Sequence, residues 1–156
     1  MSTNLTVGNE TFAFPESGET PGWGEVVHDW AEAATDKLSS LSGTYDIPIT
    51  TSSISDNQST AANVTGLLFN STVTRSFIAE YVVYRETDTP TKIRENGIIT
   101  GVYDGSTGWE YSIKHIGDAG MDFIVTAAGQ VQYYSSNMVG ASYSGEIKFK
   151  ARTLDV

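Results

Sequence analysis

A chain of 156 residues with 19 Asp+Glu, 9 Lys+Arg, a formal net charge of −10 and no Cys is long enough for one domain that buries about 70 % of its unfolded surface. It has no thiol for a disulfide or a thiolate metal site, no apolar run near the ~18–20 residues that cross a bilayer, and no basic stripe to neutralise nucleic-acid phosphates. Its first residues lack both a basic n-region and an apolar h-region, so a soluble protein made in the cytoplasm, with neither nucleic acid nor membrane as partner, is expected.

The chain divides into a front module, residues 1–43, and a β-rich body, residues 44–156. Leu5–Phe14 alternates loosely around Gly8-Asn9, the pattern of a small hairpin or an extended arm. Residues 15–22 hold two prolines and two glycines and read as a loop. From Gly24 to Leu41 apolar residues return at three- and four-residue steps (Val26, Trp30, Ala33, Leu38, Leu41), which paints one stripe on an amphipathic helix. Acids crowd the first turns of that helix and Lys37 stands near its end, so the charges complement the helix dipole. Residues 1–46 carry eight acids and one base. That imbalance is either a solvated surface or a face turned toward a basic partner.

From Thr44 onward the period changes to two. Strands are expected over Ile47–Ile54, Val64–Phe69, Ser76–Glu86, Lys92–Asp104, Trp109–His115, Met121–Thr126, Val131–Ser135 and Gly145–Leu154, with glycine-rich turns between several of them. In Ser76–Glu86, Phe77, Ala79, Tyr81 and Val83 share one face, while Ile78, Glu80, Val82 and Tyr84 share the other. Because both faces are partly apolar, this strand is expected between two packed layers or two subunits. Gly97 and Gly101 are expected to mark β-bulges. The fold class that follows is mainly β: an antiparallel β-sandwich or barrel-like body, preceded by an N-terminal arm and one amphipathic helix.

Chemistry-bearing constellations are sparse. Neither histidine, His28 or His115, sits in a nucleophile-elbow or chelating pattern. Asp-Gly pairs near Asp104 and Asp118 are ordinary turn formers without the twelve-residue calcium-loop spacing. Five Asn-x-Ser/Thr tripeptides (Asn4, Asn9, Asn57, Asn63, Asn70) follow from a composition holding 36 Ser and Thr. No catalytic residue, metal or cofactor is therefore expected. Trp109, Tyr111, Tyr133 and Tyr134 either fill the core or present flat faces to a glycan. Phe12, Phe14, Trp23, Val26, Trp30, Leu38 and Leu41 are the candidate residues of a subunit or capsid interface. One helix at the edge of a β body needs the body or neighbouring copies to cover its stripe.

The segment Phe14–Leu38, with its aromatic-Pro start, Gly-rich turn, Trp23 and Trp30 separated by six residues, and Ala-rich helix, resembles a motif of tailed-bacteriophage virion proteins. Residues 117–136 and 143–152 are similar to β-structured domains of phage head-decoration and fibre proteins. The resemblance implies a homotrimeric virion component and carries no active-site residues. A short chain starting at Met1 fits a capsid decoration (cement) protein on the head surface, bound to itself and to the major capsid protein. A short fibre or spike that binds a host glycan or receptor is the alternative.

Overall fold

The computed structural model describes residues 3–7, 10–14, 23–40, 43–89 and 92–155. They belong to two compact units, Met1–Gly43 and Thr44–Val156. In the first, β1 (Thr3–Val7) pairs antiparallel with β2 (Glu10–Phe14), Val7 standing opposite Glu10. The expected turn at Gly8-Asn9 lies outside the described residues. The helix α1 (Trp23–Ser40) starts and ends within one residue of the span read from the apolar stripe. It packs against β1 and β2, so the hairpin of its own unit covers part of the stripe, a source of cover that periodicity alone does not reveal. Phe12, Val26, Trp30 and Ala33 are half-buried. Leu41 and the side chains of Phe14, Trp23 and Leu38 lie outside the described residues.

The second unit is two antiparallel sheets over one core. Its strands are β3 (Ile47–Ser53), β4 (Ala62–Leu68), β5 (Thr74–Glu86), β6 (Lys92–Tyr103), β7 (Trp109–Gly117), β8 (Met121–Val125), β9 (Gln130–Ser135) and β10 (Ser144–Asp155). Five form a sheet in the order β3-β10-β5-β6-β7, and three form a sheet in the order β4-β9-β8. Every pairing is antiparallel. The arrangement is a sandwich without barrel closure.

Alternation on the strands decides what is inside. Phe77, Ala79, Tyr81 and Val83 of β5 are buried together with Ile147, Phe149 and Ala151 of β10 and Ile99 of β6. From the smaller sheet and the segments next to it come Val64, Leu67, Phe69, Met121, Phe123, Val131 and Tyr133. The Phe69 and Phe77 rings stack with centroids 3.7 Å apart, and Tyr81 meets Phe123 at 4.9 Å. Aromatic pairs of this kind add about 0.5–1.5 kcal/mol beyond the area they bury.

One expectation is corrected here. Gly97 and Gly101 are not bulges: the β5–β6 and β6–β7 ladders run through both without a register shift. They are glycines because of what lies opposite. Tyr81 pairs with Gly97 and Phe77 with Gly101, and each ring lies over its partner's bare Cα. A Cβ on Gly97 would stand 2.5 Å from the Tyr81 hydroxyl, and one on Gly101 would enter the Phe77 ring. For β5, no second sheet of its own unit covers the Ile78–Tyr84 face among the described residues, and Ile78 and Val82 stay 43 % and 40 % exposed; of the two expected settings, packed layers or subunits, the first does not hold within this unit.

Candidate functional site

The open face of the five-stranded sheet is the principal surface feature of the body. Ile78 and Val82 on β5, and Ile98 and Val102 on β6, are each between 40 and 49 % exposed. Ile98 sits opposite Glu80, whose neighbours along the same face are Ile78 and Val82, so the three aliphatic groups lie on diagonal positions within reach of one another. Soluble surfaces carry scattered apolar residues routinely, but four on adjoining strands make a patch.

The charges around that patch are unusual for this chain. Alternation places six bases on the face: Lys92 and Arg94 on β6, Lys114 on β7, and Lys148, Lys150 and Arg152 on β10. Four acids share it, Glu80, Glu86, Glu110 and Glu146. The face is thus net positive on a chain of −10. Some of these charges are matched in place. Lys150 reaches Glu80 at 2.9 Å and Lys92 reaches Glu86 at 3.0 Å. The Tyr84 hydroxyl, bonded to Glu86 at 2.7 Å, and then Lys92 hold the Glu86 carboxyl below its usual range. The Arg94 guanidinium lies 4.9 Å over the Tyr84 ring. Lys148 and Arg152 have no ion-pair partner among the described residues.

The aromatic candidates separate. Trp109 and Tyr133 are core residues, 8 % and 3 % exposed, and cannot stack on a glycan. Trp109 packs on Phe77, Tyr103 and Phe69 with centroids 5.3, 5.5 and 6.2 Å away, and its buried Nε1 has no hydrogen-bond partner among the described residues. The Tyr133 hydroxyl accepts the Ser55 amide at 3.0 Å. Tyr111 is 40 % exposed and Tyr134 is half-buried.

Tyr134 lines a shallow polar depression of about 550 Å³ with His115, Asp118, Asp122, Gln58 and Ser136. Beneath it are two buried charges that composition and motif reading pass over. Arg85 is fully buried, and its fork is completely occupied. Nη1 donates to the Ala119 carbonyl at 2.6 Å, Nη2 to Asp56 at 2.9 Å and to the Ser136 carbonyl at 2.5 Å, and Nε to the Tyr143 hydroxyl at 3.0 Å. Glu95 is 2 % exposed. Its Oε1 accepts the Tyr81 hydroxyl at 2.7 Å and lies 3.2 Å from His115 Nδ1, while its Oε2 accepts the Ala119 amide at 3.1 Å. Burial, followed by the bond to Glu95, pushes the Tyr81 phenol far above its ordinary value, so it stays a donor. One turn, at Ala119, is thereby held by a cation on its carbonyl and an anion on its amide. Charges this deep persist only when paired and fully bonded.

Other polar groups serve local structure. Asp104 caps its own turn, accepting the Thr107 hydroxyl and the amides of Ser106, Thr107 and Gly108. Asn70 accepts the amide and hydroxyl of Thr72, so that Asn-x-Thr tripeptide is used as a turn. Among the described residues no three His, Asp or Glu side chains converge on a possible metal position, and no helix is long and apolar enough to cross a membrane. In the front unit the helix exposes Asp29, Glu32 and Asp36, three- and four-residue steps that align them as a stripe.

No protein-family model, no curated protein and no solved structure matches this chain.

Proposed function

We propose that this chain is a non-enzymatic structural component of a tailed-phage virion, a homotrimeric decoration protein that bridges and stabilises capsomers on the head surface. The observation that carries the reading is the open face of the five-stranded sheet, where Ile78, Val82, Ile98 and Val102 are left half-exposed inside a ring of charges. A patch of this kind costs solubility unless a partner covers it. The resemblance of residues 14–38, 117–136 and 143–152 to phage virion proteins supplies the class of partner: neighbouring copies of this chain and the major capsid protein. Standard contacts of about 800 Å² per partner, repeated around a symmetry axis, give avidity without any single contact being strong.

Co-sedimentation tests the reading. Purified protein mixed with phage heads that lack it is expected to pellet with them in a fixed ratio to the major capsid protein and to raise the temperature at which the shells open. Protein that stays in the supernatant and leaves shell stability unchanged refutes it.

A second reading is favoured by the polar depression. Carboxylates of Asp118 and Asp122, His115 and the flank of Tyr134 are groups suited to the hydroxyls and apolar faces of a saccharide. On that reading the chain is a short fibre or spike that binds a host-surface glycan, with Tyr134 and the two aspartates in place of Trp109 and Tyr133. Specific binding on a glycan array, lost in Tyr134→Ala, supports it.

A further inference from the structure

We propose that the open face of the five-stranded sheet seats the acidic stripe of α1 from a neighbouring copy of this chain, with the helix lying along β10. The inference rests on the self-association reading above and names the contact that would produce it.

Charge carries the argument. Six bases and four acids occupy the face, while the chain as a whole is −10. The remaining surface of any copy is therefore strongly acidic. Pairing two such faces about a twofold axis would bring two net-positive surfaces together, which is less favourable than pairing unlike charges. A complementary contact instead joins this face to a different, acidic surface. Residues 1–46 supply the densest one, eight acids to one base, and within it α1 presents Asp29, Glu32 and Asp36 exposed on one stripe.

The dimensions agree. Asp29 to Asp36 spans seven residues, about 10 Å at the helical rise per residue. Lys148, Lys150 and Arg152 lie at alternate positions on one face of β10, and their row spans about 14 Å at the strand rise. Lys148 and Arg152 at its ends have no ion-pair partner among the described residues. Beside that row, Val82 stands opposite Lys148 and Ile78 opposite Arg152. An acidic stripe laid along β10 meets bases directly and covers aliphatic groups with the half-buried Val26 and Ala33, which border it on the helix. The contact joins unlike surfaces, so a closed ring uses it once per subunit, three times around a threefold axis.

The test is the mass of the full-length protein by light scattering at micromolar concentration, in dilute buffer and in salt high enough to shorten the screening length to about 3 Å. Three variants are compared: Lys148→Glu with Arg152→Glu, Glu32→Lys with Asp36→Lys, and all four together. All four positions are solvent-exposed, and circular dichroism checks that each variant keeps its fold. Wild type is expected near three times 16.8 kDa. Each double reversal is expected to weaken assembly by at least about tenfold, and the fourfold variant to restore it. High salt is expected to weaken wild-type assembly as well. A trimer that neither reversal disturbs overturns this contact while leaving self-association standing. A wild-type monomer overturns both.

Discussion

Arg85 sits in β5 on the same side as Phe77, Ala79, Tyr81 and Val83, and a base on an otherwise apolar strand face is a signal available from alternation alone. Glu95 carries the equivalent signal on β6, sharing parity with Ile99. Neither belongs to a motif, so reading for motifs passes over both. Replacing Arg85 by Met is expected to cost about 3–5 kcal/mol, because it strips the partner from the buried carbonyl of Ala119 and from the part-buried one of Ser136 and leaves Asp56 without its cation. Urea unfolding of the variant measures this directly. Asp104 behaves differently, being a surface cap. The Thr107 hydroxyl, then the amides of Ser106, Gly108 and Thr107, hold its carboxyl well below the usual carboxylate range. A carboxyl whose folded value is depressed stabilises the fold above its unfolded pKa of about 4, and that contribution is lost as pH falls through the folded value. Asp104→Ala is therefore expected to be less stable than wild type at neutral pH, with the gap narrowing as denaturation is repeated at successively lower pH below about 4.

At the scale of elements, period was the informative quantity. The eight body strands and the helix were legible within about two residues, because apolar side chains recur at two or at three-to-four residues wherever one face is buried. Glycine was not legible in the same way. Gly97 and Gly101 look like ladder defects along the sequence, yet each is the opposite number of an aromatic residue on β5, a relation visible only once the register is known. Gly101→Ala is expected to lose about 1–3 kcal/mol by overpacking against Phe77, measured as a shift in the urea midpoint with an unchanged slope. Trp109 and Tyr133 show a related limit. Composition marks aromatics as candidates for a surface, but partners distant in sequence decide burial, and for Trp109 those partners are Phe69 and Phe77.

For the whole molecule, the division at Gly43 matters most. The core of Thr44–Val156 is complete in the described structure, with its buried residues drawn from the two sheets and the segments joining them. Residues 44–156 expressed alone are expected to unfold in one cooperative transition with a β-type circular dichroism spectrum. On the proposed assembly, they are expected to remain monomeric where the full chain does not; sedimentation of the two side by side checks this. The candidate surface itself was half-legible. The apolar character of Ile78 and Val82 is plain from alternation, but the gathering of Lys148, Lys150 and Arg152 beside them depends on β10 pairing with β5 across residues 87–143, which no local pattern encodes.

That pairing also sets the order in which the polypeptide can mature. Strand β10 lies between β3 and β5, so during translation both of those strands leave the ribosome with a bare edge and wait for a partner made well after them. Until residues 144–155 emerge, nothing separates β3 from β5 or completes the hydrogen-bonding of either one. A chain cut short of that point can still pair β5 with β6 and β7, but it carries two sticky margins where β10 belongs, and the full five-stranded sheet exists only once the message has been read through β10.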